Sequence, residues 1–105
     1  MRRHATWLFA IACLAGPAMA QDAQAGRQKA AICAACHGPM GLSATPDAPN
    51  LAGQPAEYVR AQLKAYRGGT RKHEVMSLMA QPLSDADIDN LAAWFSSLKV
   101  QVAPP

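Results

Sequence analysis

The feature that most constrains this chain is a pair of cysteines, Cys33 and Cys36, followed at once by His37. The sequence has 105 residues and one other cysteine, Cys13. A chain of this length forms one small domain, which excludes a two-domain enzyme. So small a domain buries little surface and usually needs an additional link, but a disulfide between Cys33 and Cys36 would close too short a loop to supply it. The sequence therefore predicts that another group stabilises the fold.

The first 20 residues have the pattern of a secretory signal peptide. Arg2 and Arg3 precede an apolar stretch over residues 5–15, and a small-residue cleavage signal ends at Ala20. We therefore expect cleavage after Ala20, a periplasmic location, and a single domain over residues 21–105. An uncleaved anchor helix and a lipoprotein attached through Cys13 are the alternatives. The apolar stretch is shorter than the about 20 residues of a membrane span, and we expect no span in the mature chain.

Loss of this leader would leave the chain almost electrically neutral. The full sequence has ten Lys and Arg against seven Asp and Glu, and two of the basic residues, Arg2 and Arg3, belong to the leader. The overall charge of the mature chain therefore does not favour nucleic-acid binding.

Residues 33–37, with the sequence Cys-Ala-Ala-Cys-His, are typical of covalent attachment of a c-type haem. Two thiols one helical turn apart can each form a thioether with a haem vinyl group, and His37 can then bind the iron. A zinc site needs four protein ligands, whereas the mature chain adds only His73 to these three. A thioredoxin-like redox pair is expected beside a βαβ unit, and no strand pattern precedes Cys33. Zinc binding and thiol redox chemistry are the alternatives.

The remaining sequence predicts three main helices joined by long loops. We expect a first helix over residues 25–35, a loop over residues 38–53, and a second helix with Pro55 at its first position that stops at Gly68 and Gly69. Residues 70–83 are expected to be irregular. Ser84 begins a capping-box pattern, and a stripe of apolar residues follows at helical spacing. This stripe consists of Ile88, Leu91, Ala92, Phe95 and Leu98. The fold class is therefore all-α.

An iron bound by His37 offers its opposite side to a second ligand. Met40 lies only three residues after His37, too near in the chain to reach around a haem. Met76 and Met79 lie in the distant loop and are both candidates. His73 is an alternative imidazole ligand, and a gap-filling role in the core is the alternative for the two methionines.

These features together resemble the class I cytochromes c. The resemblance is strongest to one half-unit of the bacterial dihaem periplasmic cytochromes and to their small monohaem relatives, and it covers about residues 25–98. It rests on C-A-A-C-H-G at 33–38, P-N-L-A-G-Q at 49–54, R-K at 71–72 before Met76, P-L-S-D-A-D-I at 82–88 and L-A-A-W-F at 91–95.

The resemblance implies a cytochrome c fold around one haem c, held covalently by Cys33 and Cys36. It implies His37 and Met76 as the axial ligands of the iron, because in such proteins the methionine lies eight residues before the serine that caps the last helix. Met79 is the runner-up.

The resemblance also implies the surroundings of the haem. The resemblance implies that the carbonyl oxygen of Pro49, twelve positions after His37, accepts a hydrogen bond from the ring nitrogen of His37 that does not bind the iron. Gly26 is implied to lie where the first and last helices cross, with Trp94 and Phe95 as packing partners. Six apolar residues are expected around the haem: Leu51, Tyr58, Leu63, Leu83, Ile88 and Leu91.

The function implied is periplasmic transfer of single electrons to and from redox partner proteins, without catalysis. Iron with His and Met ligands has no open position for a substrate. One alternative is the cytochrome c subunit of a larger periplasmic dehydrogenase. A haem peroxidase or gas sensor, in which the Met ligand is displaced, is the other.

Five basic residues lie between residues 59 and 73, with no acidic residue among them: Arg60, Lys64, Arg67, Arg71 and Lys72. The first three fall at helical spacing and share one face. We call these five residues the basic patch, and our hypothesis is that it docks an acidic surface of a redox partner. The alternative is an ordinary solvated face on which Arg71 or Lys72 compensates the haem propionates.

Overall fold

The computed structural model of the protein describes residues 21–105, so the expected leader, Cys13 and the cleavage site lie outside the described part. Five α-helices follow one another: α1 (Ala23–Lys29), α2 (Ala34–His37), α3 (Ala56–Gly68), α4 (Met76–Ala80) and α5 (Asp85–Ser97). A 3₁₀ segment, Ala30–Cys33, joins α1 to α2. Residues 21–105 contain no strand, and the all-α prediction is confirmed.

The first helical path extends over residues 23–37 and is longer at both ends than predicted. It begins after Asp22, whose carboxylate accepts the backbone N–H groups two and three residues further on. It ends at Gly38, which has a φ of 80°. A Cβ at Gly38 would lie 1.8 Å from the carbonyl oxygen of Leu42, so only glycine fits this turn.

The second predicted helix is α3, and its boundaries differ little from the prediction. Pro55 is extended, with φ −57° and ψ 136°, and precedes the helix instead of occupying its first position. The helix stops at the predicted glycine pair: Gly68 is its last residue, and Gly69 follows in the left-handed conformation. The prediction of an irregular stretch over residues 70–83 was wrong where α4 forms. Five residues are too few for a helical period to be recognised in the sequence.

Helix α5 packs against both α1 and α3 and contributes four of the eight buried hydrophobic residues of the core. It begins with a complete capping box, in which the Ser84 hydroxyl accepts the Asp87 N–H and the Asp87 carboxylate accepts the Ser84 N–H. Of its predicted apolar stripe, only Leu98 is not fully buried. The buried hydrophobic residues are Ile88, Leu91, Ala92 and Phe95, with Ala30, Val59, Ala80 and Leu83 from the other segments.

The crossing of α1 and α5 depends on Gly26. A Cβ at this position would lie 1.9 Å from the carbonyl oxygen of Asn90 and 2.9 Å from the Cβ of Trp94. The expected contact with Trp94 is therefore present. Phe95 packs instead beside Gly41, where an added Cβ would lie 3.1 Å from its Cδ1.

The six residues expected around the haem differ in burial. Leu83, Ile88 and Leu91 are buried, and Leu51 and Leu63 pack half-buried against the core. Tyr58 is 50% exposed and does not belong to this core.

Within residues 21–105, no helix has the length and apolar character needed to cross a membrane.

Candidate haem site

Cys33 and Cys36 lie where the 3₁₀ segment passes into α2. They are three positions apart on a helical path, which places their side chains on one face. Both are free thiols; Cys33 packs half-buried against the core and Cys36 is exposed. Burial raises the pKa of the Cys33 thiol. Two thiols on one face are thus available for covalent attachment.

His37 ends α2 and is 7% exposed. Its Nδ1 lies 2.8 Å from the carbonyl oxygen of Pro49. A carbonyl oxygen can only accept a hydrogen bond, so Nδ1 carries a hydrogen and donates it, and in the neutral imidazole Nε2 keeps its lone pair. The Pro49 carbonyl thereby selects the tautomer in which Nε2 can bind a metal ion.

The loop that carries Pro49 is fixed at two points. The backbone N–H of Leu51 donates to the carbonyl oxygen of Gly41 at 2.7 Å, which closes the loop on itself. The N–H of Gly53 donates to the carbonyl oxygen of Phe95 at 2.8 Å and fastens the loop to α5. The acceptor for His37 is therefore connected to the core by backbone hydrogen bonds.

Met76 is the first residue of α4, and Met79 lies three positions further on the same face of that helix. Both side chains are half-buried. Burial and position on the helix therefore do not distinguish Met76 from Met79 as the second iron ligand. The preference for Met76 still rests on its spacing from Ser84. Met40 is 47% exposed in the loop after α2.

His73, the alternative imidazole ligand, uses one ring nitrogen in hydrogen bonds to backbone groups. Its Nδ1 accepts the N–H groups of Val75 and Met76, each at 3.2 Å. The backbone N–H of His73 in turn donates to the hydroxyl of Ser77 at 3.0 Å. Sequence reasoning missed this arrangement, because Ser, Thr, Asp and Asn are the residues that usually cap helices.

The donor set fits a covalently attached haem. A c-type haem requires two free thiols on one face, an imidazole with an available Nε2 lone pair, and a thioether on a separate helix, and all of these are present.

The zinc alternative is not supported, since the part of the chain from residue 21 onward has no cluster of three or more His, Cys, Asp or Glu suited to a metal ion. The described residues before Cys33 contain no strand, so the βαβ context of a thioredoxin-like pair is also missing there.

Two members of the basic patch form ion pairs with acidic residues. Arg60 donates through Nε to Asp89 at 2.7 Å and also pairs with Glu57, and these contacts raise the pKa of its guanidinium. Arg67 donates to the carboxylate of Asp85 at 2.6 Å. The pairs with Asp89 and Asp85 join α3 to α5. Arg60 and Arg67 therefore do not contribute free positive charge to the basic patch.

The other three members of the basic patch are exposed. Arg71 lies over the ring of Tyr66, at 4.7 Å from its centroid, and donates to the side-chain oxygen of Gln62 at 2.7 Å. Lys64 and Lys72 form no ion pair within 4.0 Å among the residues that the structure describes. Net positive charge is thus left at these three positions.

Comparison with known proteins gives a consistent set of matches. The family model described as Cytochrome c matches residues 23–99. Cytochrome c-554(548) from Halomonas halodenitrificans is 49% identical over 81 residues, which covers 74% of this chain and 98% of that protein.

Longer proteins match over part of their length. The crystal structure of reduced recombinant cytochrome c4 from Pseudomonas stutzeri matches with a TM-score of 0.73 and 43% identity, over 79% of this chain and 48% of that chain. A protein of Stutzerimonas stutzeri described as a thiosulfate dehydrogenase electron acceptor is 44% identical over 69 residues, 63% of this chain and 32% of that protein. This chain therefore spans about half of the cytochrome c4 structure and a third of the electron acceptor.

Proposed function

The chain belongs to the cytochrome c family, and on that premise we propose that it carries single electrons between redox proteins in the periplasm. The haem c of this family supplies an iron that changes reversibly between the ferric and ferrous states. The observation that carries the proposal is the buried His37, oriented by Pro49 directly after two free thiols. That arrangement suits electron transfer, since it prepares a fixed, strong ligand.

We assign the two thioether links to Cys33 and Cys36, and the axial positions to Nε2 of His37 and Sδ of Met76. The Pro49 carbonyl holds the His37 ring in one orientation and raises the basicity of Nε2. The spacing between Met76 and Ser84 supports Met76 over Met79, which lies on the same face of α4.

We also propose that residues 1–20 are a signal peptide cleaved after Ala20, and that residues 21–105 form one domain. The support is the basic, apolar and small-residue order of the leader, together with a family match that begins at residue 23. Export also suits the cofactor, because bacterial c-type haem is attached after translocation.

The proposed partner surface is acidic, and it meets Lys64, Arg71 and Lys72. The support is that Arg60 and Arg67 are engaged by carboxylates of α3 and α5, whereas these three cations are exposed. Electron-transfer complexes are small and short-lived, so complementary charge affects the association rate more than the affinity.

A second candidate function is that of a cytochrome subunit, or dedicated electron acceptor, of a periplasmic dehydrogenase. The similarity to the thiosulfate dehydrogenase electron acceptor supports it. Purification under mild conditions separates the two candidates, since a free carrier elutes alone and a subunit elutes with its enzyme.

Redox titration of the purified holoprotein tests the proposed function. We expect one reversible single-electron transition, and rapid electron exchange with small redox dyes. Steady turnover of peroxide, or binding of carbon monoxide to the ferrous protein without displacement of a ligand, would contradict the proposal by showing an open coordination position.

A further inference from the structure

We propose that His73 is a positioning residue that holds Met76 in place for the iron through the backbone of α4. The proposal rests on the assignment of Met76 as an axial ligand. It assigns to His73 a role different from that of an alternative iron ligand.

The contacts of His73 resemble those of a helix cap, although His73 lies two residues before Val75, the N-cap residue of α4. A capping side chain accepts the backbone N–H groups two and three residues further along, which here belong to Val75 and Met76. The carbonyl oxygen of His73 accepts the N–H of Ser77 at 2.9 Å, as the first hydrogen bond of a helical turn. The Ser77 hydroxyl accepts the N–H of His73 in return. The two residues thus stabilise the turn from both directions.

The two ends of α4 are stabilised differently. At its C-terminal end, Ala80 is completely buried, and the side-chain amide of Gln81 donates to the carbonyl oxygen of Arg67 on α3 at 3.0 Å. At its N-terminal end, Val75 is 47% exposed. A helix of five residues has little stability of its own, and its N-cap residue, Val75, forms no side-chain capping hydrogen bond. The turn over residues 73–77 that leads into α4 therefore depends on the hydrogen bonds of His73.

Met76 is at the N-terminal end and its own N–H is one of the two that His73 accepts. Loss of the cap therefore frees the backbone of the ligand itself. Met79, three positions nearer the packed end, would be affected less. In a variant without the cap, the Met76 thioether should leave the iron more often, and a small external ligand should compete for its position more successfully.

Three substitutions of His73 test whether the hydrogen-bond acceptor at Nδ1, and not the rest of the imidazole ring, is what matters. His73→Ala removes the acceptor, His73→Asn places an amide oxygen near the position of Nδ1, and His73→Gln places it about one bond further out, near Nε2. Ser77→Ala removes the reciprocal contact with the His73 N–H. Each is prepared as the ferric holoprotein, and free imidazole is the competing ligand.

We expect His73→Ala and His73→Gln to bind imidazole roughly fivefold more tightly than the wild type, the factor that corresponds to a typical lost helix cap. They should also have a weaker far-red ferric absorption from the iron–thioether bond, and a lower midpoint potential. His73→Asn should bind imidazole as the wild type does. Ser77→Ala should also raise the affinity for imidazole, but by less than His73→Ala does.

Equal imidazole affinity in the wild type and His73→Ala would overturn the proposal, and so would an Asn variant that behaves like the Ala variant. The ligand assignment is checked separately by Met76→Ala, which should lack the far-red absorption. If the wild type itself lacks this absorption, or if Met79→Ala loses it instead, the assignment of Met76 fails and the proposed role of His73 fails with it.

Discussion

His37 Nδ1 and the carbonyl oxygen of Pro49 are 2.8 Å apart, although the two residues are twelve positions apart in the chain. The hydrogen bond connects the end of α2 to the loop that Gly53 fastens to Phe95. Since Phe95 belongs to the buried face of α5, the orientation of the proposed iron ligand depends on the core of the domain. This connection explains how a short chain with long loops can fix a coordination geometry.

Met76→Ala should abolish the weak far-red absorption of the ferric protein, which reports the iron–thioether bond. Met79→Ala is the matched control, because it removes the same kind of side chain from the same face of α4. We expect it to retain the absorption. The opposite pattern in the visible spectra of the two ferric variants would transfer the ligand role to Met79.

Gly26→Ala should strongly destabilise the holoprotein. The new methyl group would lie 1.9 Å from the Asn90 carbonyl oxygen, a backbone atom that cannot move without separating α1 from α5. Overpacking typically costs about 1–3 kcal/mol, and we expect the upper end of that range here, measured as the free energy of unfolding in denaturant. Gly68→Ala is the control, because nothing lies within 4 Å of its added Cβ, and it should be neutral or slightly stabilising. Similar stabilities for the two variants would exclude a tight crossing at Gly26.

The sequence permitted prediction of the parts of this molecule that depend on nearby residues. Helix α5 has a capping box and a long apolar period, and the turn over residues 33–37 has a distinctive motif. The ion pairs of Arg60 and Arg67 could not be predicted, since their partners on α5 are 29 and 18 positions away and depend on how α3 packs. The hydrogen bonds from the Val75 and Met76 backbone to His73 could not be predicted, because α4 is too short to have a period and histidine is not among the residues that usually accept such bonds at a helix start.

The first turn of α5 should make the protein sensitive to acid. The hydrogen bond from Arg67 lowers the pKa of the Asp85 carboxyl, and the Ser84 backbone N–H lowers that of Asp87. The lowered values in the folded state contribute stability that is present above the ordinary carboxyl pKa of about 4 and is lost as the pH falls through the folded-state values.

Asp85→Asn and Asp87→Asn should therefore flatten the decline of unfolding free energy below about pH 4. Denaturant titrations over this pH range measure the slope. Asp47→Asn serves as the control, since this exposed loop residue forms no ion pair within residues 21–105. A decline as steep in the α5 variants as in the control would show that other groups cause the acid sensitivity.

Charge reversal should distinguish the exposed cations from those in ion pairs. The double variant Lys64→Glu and Lys72→Glu should slow electron exchange with an acidic redox protein and flatten its dependence on ionic strength, with an unchanged visible spectrum. Arg60→Glu should mainly lower stability, because it breaks the contact with Asp89. Lys99→Glu, with the same type of charge change outside the basic patch, is the control. Exchange rates that respond to neither salt nor the double variant would rule out electrostatic docking there.

Covalent attachment of one haem to Cys33 and Cys36, in a processed, single-domain chain, underlies every other assignment. It is measured by intact mass spectrometry of the purified protein, after acid-acetone extraction and in denaturing solvent. We expect the mass of residues 21–105 plus one haem. A haem that extracts cleanly and leaves the mass of the polypeptide alone would contradict it.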